Sequence, residues 1–140
     1  MRFMVMVKAS PESEAGEMPS RERLEEMGRF NQQLIDAGML LAAEGLHPTS
    51  KAAKVRFSGK KRTVIDGPFP ETKELVAGFW ILKAASREDV IEWIKRCPNP
   101  MTSDSDIEIR QIFEPEEFGG ELTDEIKARR EKVRQQVAKN

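Results

Sequence analysis

The sequence predicts an α+β fold, a ferredoxin-like split βαβ sheet with an inserted β-hairpin and an extra C-terminal helix. Three observations carry that reading. Short apolar runs with the two-residue period of strands alternate with two stretches that have the 3.6-residue period of helices. The elements follow one another as β-α-β, hairpin, β-α-β, helix. Both long helices would then lie on one side of the sheet, leaving its other side bare.

The chain has 140 residues, the size of one domain, and a domain of this size buries roughly 68–70% of its unfolded surface without a disulfide or structural metal. Charge is nearly balanced, 23 Lys+Arg against 24 Asp+Glu, so no global field favours nucleic acid or an anionic membrane. A single cysteine, Cys97, excludes an internal disulfide and fits a reducing compartment. The apolar run Phe3–Val7 is too short for a signal or a membrane span. The expectation is a soluble cytoplasmic protein.

Taken in order, Arg2–Lys8 places Phe3, Val5 and Val7 on one strand face and Met4 and Met6 on the other, so both faces need cover. Ala9–Pro19 reads as a polar loop. Ser20 is an N-cap before a helix with Leu24, Met27, Phe30, Leu34 and Ile35 as its buried stripe, ended by Gly38. Met39–Leu46 is the second strand, closed by His47-Pro48. Ala52–Phe57 and Arg62–Ile65 form a hairpin around Gly59. Its basic residues Lys54, Arg56, Lys60, Lys61 and Arg62 read as a solvated tip, because no aromatic side chains are interleaved for stacking. Nucleic acid is therefore not an expected partner.

The Asp66–Glu74 turn leads into the most apolar strand, Ala77–Ala84. Either proline bond of that turn is open to the cis form. Ser86 with Asp89 opens a second helix with the stripe Val90, Ile91, Trp93, Ile94 and Cys97, stopped by Pro98 and Pro100. In Asp106–Phe113, the last strand, Ile107, Ile109 and Gln111 share one face and Glu108, Arg110 and Ile112 the other. An acidic linker follows, and Thr123 caps a charged final helix with only Ile126, Val133 and Val137 as a stripe. The domain is expected to occupy residues 1–113, with 114–140 as linker and helical extension.

A sheet face carrying Met4, Met6 and one side of the Gly78–Leu82 strand should not stay wet, since apolar burial is worth roughly 25 cal/mol per Å². Sheet-to-sheet homodimerisation into a dimeric α+β barrel covers it. Glu108 and Arg110 would then sit near a shared interior and need partners or a ligand.

Several blocks together resemble the YCII-related family, and specifically its DGPF subgroup. They are Ala43-Glu44-Gly45-Leu46 with His47-Pro48, Asp66-Gly67-Pro68-Phe69 with Glu71, Lys73-Glu74 and Gly78-Phe79, and Trp93 with Arg96-Cys97-Pro98 ahead of Glu108-Ile109-Arg110. The likeness spans nearly all of residues 1–113. It implies the same fold and dimer, with a ligand cleft near the D-G-P-F turn. The wider family is credited with a histidine in the first helix and an aspartate in a D-P motif. This chain has only His47, after the second strand, and Asp66 precedes Gly, so that pair does not carry over to matching positions.

Asp66 is a candidate general base, or else accepts hydrogen bonds from the turn behind it. His47 is the only side chain with an unperturbed pKa near neutrality, a candidate base or a surface residue. Lys73, held by Glu71, is a candidate anion anchor, the alternative being a solvated charge run. Glu44 needs a partner such as Arg110, as an ion pair or as part of a ligand site with Glu108. Cys97 reads as a buried, inert thiol. No metal or cofactor is implied: one His and one Cys give no ligand spacing, and nucleotide, zinc-protease and serine-hydrolase signatures are absent. The expected function is a cofactor-free acid/base enzyme, or binder, of a small polar or acidic molecule. The other reading is a non-catalytic ligand-binding or regulatory protein.

Overall fold

A computed structural model describes all 140 residues. The elements are β1 (Arg2–Lys8), α1 (Pro11–Glu14), α2 (Arg21–Asp36), β2 (Leu40–Gly45), β3 (Ala53–Ser58), β4 (Lys61–Asp66), β5 (Val76–Lys83), α3 (Arg87–Ile94), β6 (Ile107–Gln111) and α4 (Asp124–Ala138). Strands β2-β5-β1-β6 form one antiparallel sheet, and β3 and β4 form a separate hairpin. This is the ferredoxin-like arrangement, because β5 enters between β2 and β1 and splits the first βαβ unit.

The register fixes which residues share a face. Leu40–Leu82–Phe3–Gln111 and Ala43–Trp80–Val5–Ile109 run across the covered face, and Gly45–Gly78–Val7–Ile107 mark its far end. Phe30 and Leu34 of α2 and Val90 of α3 close over Phe3, Val5, Trp80 and Leu82 as the core. Phe30 meets Trp80 edge to face at 6.2 Å, and the Trp80 indole donates to Asn31 at 2.8 Å, so the buried ring keeps its polar atom satisfied. The other face carries Ala42–Ile81–Met4–Arg110 and Glu44–Phe79–Met6–Glu108. Met4, Met6, Phe79 and Ile81 are only half-buried there.

Local signals explain the boundaries. Ser20, Ser86 and Thr123 each accept the backbone N–H three residues on, at 3.2, 3.2 and 3.3 Å. Gly38 takes φ 72°, the left-handed conformation that ends α2.

Four expectations change. The Ala9–Pro19 segment contains α1, held by a reciprocal capping box between Ser10 and Ser13. Leu24 and Ile35 are exposed, because α2 meets the sheet along a stripe only as wide as Met27, Phe30 and Leu34. Helix α3 ends at Ile94, so Cys97 lies beyond it. The acidic linker is helical: residues 115–121 are 3₁₀ turns broken at Gly119.

Every residue of the hairpin is exposed, as is every residue of α4. The hairpin does carry an aromatic ring: Phe57 lies under the Arg62 guanidinium at 4.5 Å, contrary to the expectation of a ribbon without one. No helix is long and apolar enough to cross a membrane.

Candidate functional site

The Asp66–Phe69 turn is held by the turn at residues 49–51 and by α1. A Cβ on Gly67 would stand 1.7 Å from the Thr49 carbonyl oxygen, so only glycine lets these two backbones touch. The Gly67 N–H donates to Ala52 O at 2.8 Å, and Phe69 N–H donates to Thr49 Oγ1 at 3.0 Å. Glu14 of α1 in turn accepts from the Thr49 N–H at 3.1 Å and from its hydroxyl. The Gly67–Pro68 peptide is cis, and Lys54 Nζ lies 4.0 Å from the Phe69 ring centroid. The Asp66 carboxylate makes none of these bonds. The turn is organised by Glu14 and Thr49, which sequence reasoning missed.

Asp66 is the last residue of β4, paired with Ala53 and exposed. His47 is exposed in the segment after β2. Lys73 is exposed in the 3₁₀ turn Thr72–Glu74 and makes no ion pair with Glu71. The structure does not join Asp66, His47 and Lys73 by any hydrogen bond or ion pair.

The expected Glu44–Arg110 pair does not form within the chain. Strands β5 and β1 stand between β2 and β6, so the two residues lie on opposite margins of the sheet. Arg110 pairs instead with Glu108, and Lys8 reaches the same carboxylate at 3.0 Å. The hydrogen bond from Lys8, and then that from Arg110, hold the Glu108 carboxyl below the usual carboxylate range. A second long-range pair, Arg2 with Glu114 at 2.9 and 3.3 Å, is bidentate and lowers the Glu114 carboxyl in the same way. Burial pushes the Cys97 thiol up to about 11, which makes it a poor nucleophile. No three His, Cys, Asp or Glu side chains gather as a metal-holding group.

Two surface grooves lie away from all six candidates. One, of about 610 Å³, runs between Met1, Met39, Lys83, Trp93 and Arg96; the other, of about 500 Å³, lies beside Cys97, Asn99 and Ile107. None of the six candidates lines either of these two grooves. Glu44, Glu108 and Arg110 share the open face of the sheet.

The model of the YCII-related domain matches residues 1–116. The chain belongs to the YCII-related family. An uncharacterised protein of Rhizobium meliloti (strain 1021) is 30% identical over 89 residues, 64% of this chain and 72% of that protein. Among solved structures, 5-chloro-2-hydroxyhydroquinone dehydrochlorinase from Burkholderia phenoliruptrix AC1100, in complex with 2,5-dihydroxybenzoquinone, aligns with TM-score 0.42 and 15% identity. The alignment covers 83% of this chain and 98% of that one. Similarity at that level carries no functional argument. The YCII-related match ends close to Glu114, where the Arg2 pair clips the chain back onto β1.

Proposed function

We propose that this YCII-related protein is a homodimer closed over the open sheet face, binding a small polar or acidic organic molecule in the cleft and acting on it by cofactor-free acid/base chemistry. The open face itself is the observation that supports this reading. Met4, Met6, Phe79 and Ile81 make an apolar centre with no covering element, and Lys8, Glu44, Glu108 and Arg110 stand at its margins. An apolar centre with a charged rim is the composition of a protein interface. In this reading Asp66 and His47 handle protons, Lys73 and Arg110 anchor an anionic group, and Glu44 and Glu108 orient it. In this reading the Asp66-Gly67-Pro68-Phe69 motif supports membership of the DGPF subgroup, with residues 1–113 as the binding domain and 114–140 as its extension.

Sedimentation at micromolar concentration tests the dimer, and a stable monomer there defeats the reading. A thermal-shift screen against small organic acids and aromatic metabolites tests the ligand, because a molecule that binds only the native state raises Tm. Turnover of a hit by the wild type but not by Asp66→Asn or His47→Gln supports the enzyme.

Helix α4 favours a second reading, a non-catalytic regulatory protein. Its Ile126, Val133 and Val137 are all solvent-exposed, a surface a protein partner can cover. Binding without turnover of any hit supports that reading.

A further inference from the structure

Three of the six candidate residues, Glu44, Glu108 and Arg110, stand on the two margins of one sheet face, and the other three follow β2 in the chain. Glu44 lies on β2, His47 follows it, and Asp66 and Lys73 lie on the excursion that leaves β2 and returns to β5 at the same end. Glu108 and Arg110 lie on β6, three strand spacings away, roughly 14 Å. The two margins are also complementary in charge. On the β6 side Lys8 and Arg110 surround the single carboxylate of Glu108. On the β2 side Glu44 has no ion pair within the chain.

Two such faces can be apposed by a two-fold axis along the strands or across them. An axis across the strands keeps β2 over the partner's β2, which leaves Glu44 three strands from the margin of the partner's Arg110. An axis along the strands exchanges the margins but keeps the ends, so Glu44, which shares a row with Glu108, meets the partner's Glu108 together with the two cations on it, the partner's Lys8 and the partner's Arg110. The hairpin adds an independent argument. It leaves the sheet at the Gly45–Ile107 end with five basic residues, Lys54, Arg56, Lys60, Lys61 and Arg62. At that end of the β6 margin, residues 98–106 contain Asp104 and Asp106, both exposed, and no Lys or Arg. Only the margin-exchanging axis brings these two segments to the same side.

We infer that the site is composite. Each of two equivalent clefts combines Glu44, His47, Asp66 and Lys73 of one subunit with the partner's Lys8, the partner's Glu108 and the partner's Arg110. This rests on the homodimer reading. The Arg110 side chain is 71% exposed beyond Glu108, and its planar donor fork fits a carboxylate. The ligand class is a small organic carboxylate, anchored by the partner's Arg110 with its reacting end toward His47 and Asp66.

Sedimentation equilibrium separates the two claims. A wild-type monomer overturns the dimer and the composite site together. For a wild-type dimer, Glu44→Arg and Arg110→Glu each raise the dissociation constant about tenfold, and the double variant returns to within about threefold of wild type. Additive losses overturn the margin-exchanging axis while leaving the dimer standing. The single histidine supplies a second readout, with sodium benzoate as probe. In the wild-type dimer benzoate moves the His47 ring cross-peak; no movement overturns the ligand class. In a mixed dimer of labelled wild type and unlabelled Arg110→Gln the movement is lost from the labelled His47. If it persists there, His47 works with the Arg110 of its own chain, and the composite site is wrong.

Discussion

On the covered side of the sheet Phe3, Val5, Trp80 and Leu82 are withdrawn from water, while one residue along on the same strands Met4, Phe79 and Ile81 keep part of their exposure. The backbone and the kind of side chain are the same on both sides. The difference lies in the cover, helices α2 and α3 on one side and nothing from this chain on the other. Two-residue alternation therefore assigns residues to faces, whereas the element that covers a face is set by crossover geometry and assembly.

The largest expected effect separates the faces directly. Leu82→Ala leaves a cavity under α2 and costs about 2–5 kcal/mol in chemical denaturation, independent of protein concentration. The neighbouring Ile81→Ala costs much less in dilute solution and, if the proposed homodimer forms, acts by weakening it. An equal loss for the two at every concentration would mean that the chain covers its open face itself.

Next comes the junction from which the hairpin emerges. Gly67→Ala drives a methyl into the Thr49 carbonyl and costs about 3 kcal/mol, with local loosening of residues 47–52 by hydrogen exchange. Gly28→Ala, with open space around it, is the control and loses nothing. If the two substitutions behave alike, the close approach is not present in solution.

Acid sharpens the contrast by acting on the open side. Glu108 has a folded pKa below its unfolded value, so its contribution is present above the ordinary carboxylate range, near 4.5, and is lost as pH falls through the folded value. Glu114 follows the same sign through Arg2. Stability measured from pH 6 down to 3 should fall less steeply in Glu108→Gln than in wild type. An unchanged slope would mean that Glu108 is unpaired in solution.

The smallest effect concerns a thiol on the covered side. With its pKa pushed up to about 11 from 9.0, Cys97 should react with iodoacetamide near pH 8 about a hundredfold more slowly than in the unfolded chain. Alkylation at the unfolded rate contradicts its burial.

Local chemistry was legible in the sequence and long-range apposition was not. Strand β1, the caps at Ser20, Ser86 and Thr123, the Gly38 stop and the Glu108/Arg110 face all follow from spacing within a few residues. The Ser10–Ser13 capping box was visible as Ser-Pro-Glu-Ser but lay in a stretch read as a polar loop. The Glu14–Thr49 bonds and the Thr49 contact with Gly67 join distant segments, and no periodicity encodes them. Glu44 and Arg110 were suggested as partners by charge alone, and the strand order separates them. The apolar spacing that included Leu24 and Ile35 was wider than the contact α2 makes.

One bond at that junction has a consequence for engineering. Because Gly67 N–H reaches Ala52 O at 2.8 Å, residues 53–66 begin and end at nearly the same point in space. The hairpin is in that sense a cassette. A short turn can replace it without stretching β2 away from β5, and a different ribbon can be grafted in its place while the four-stranded sheet keeps its register.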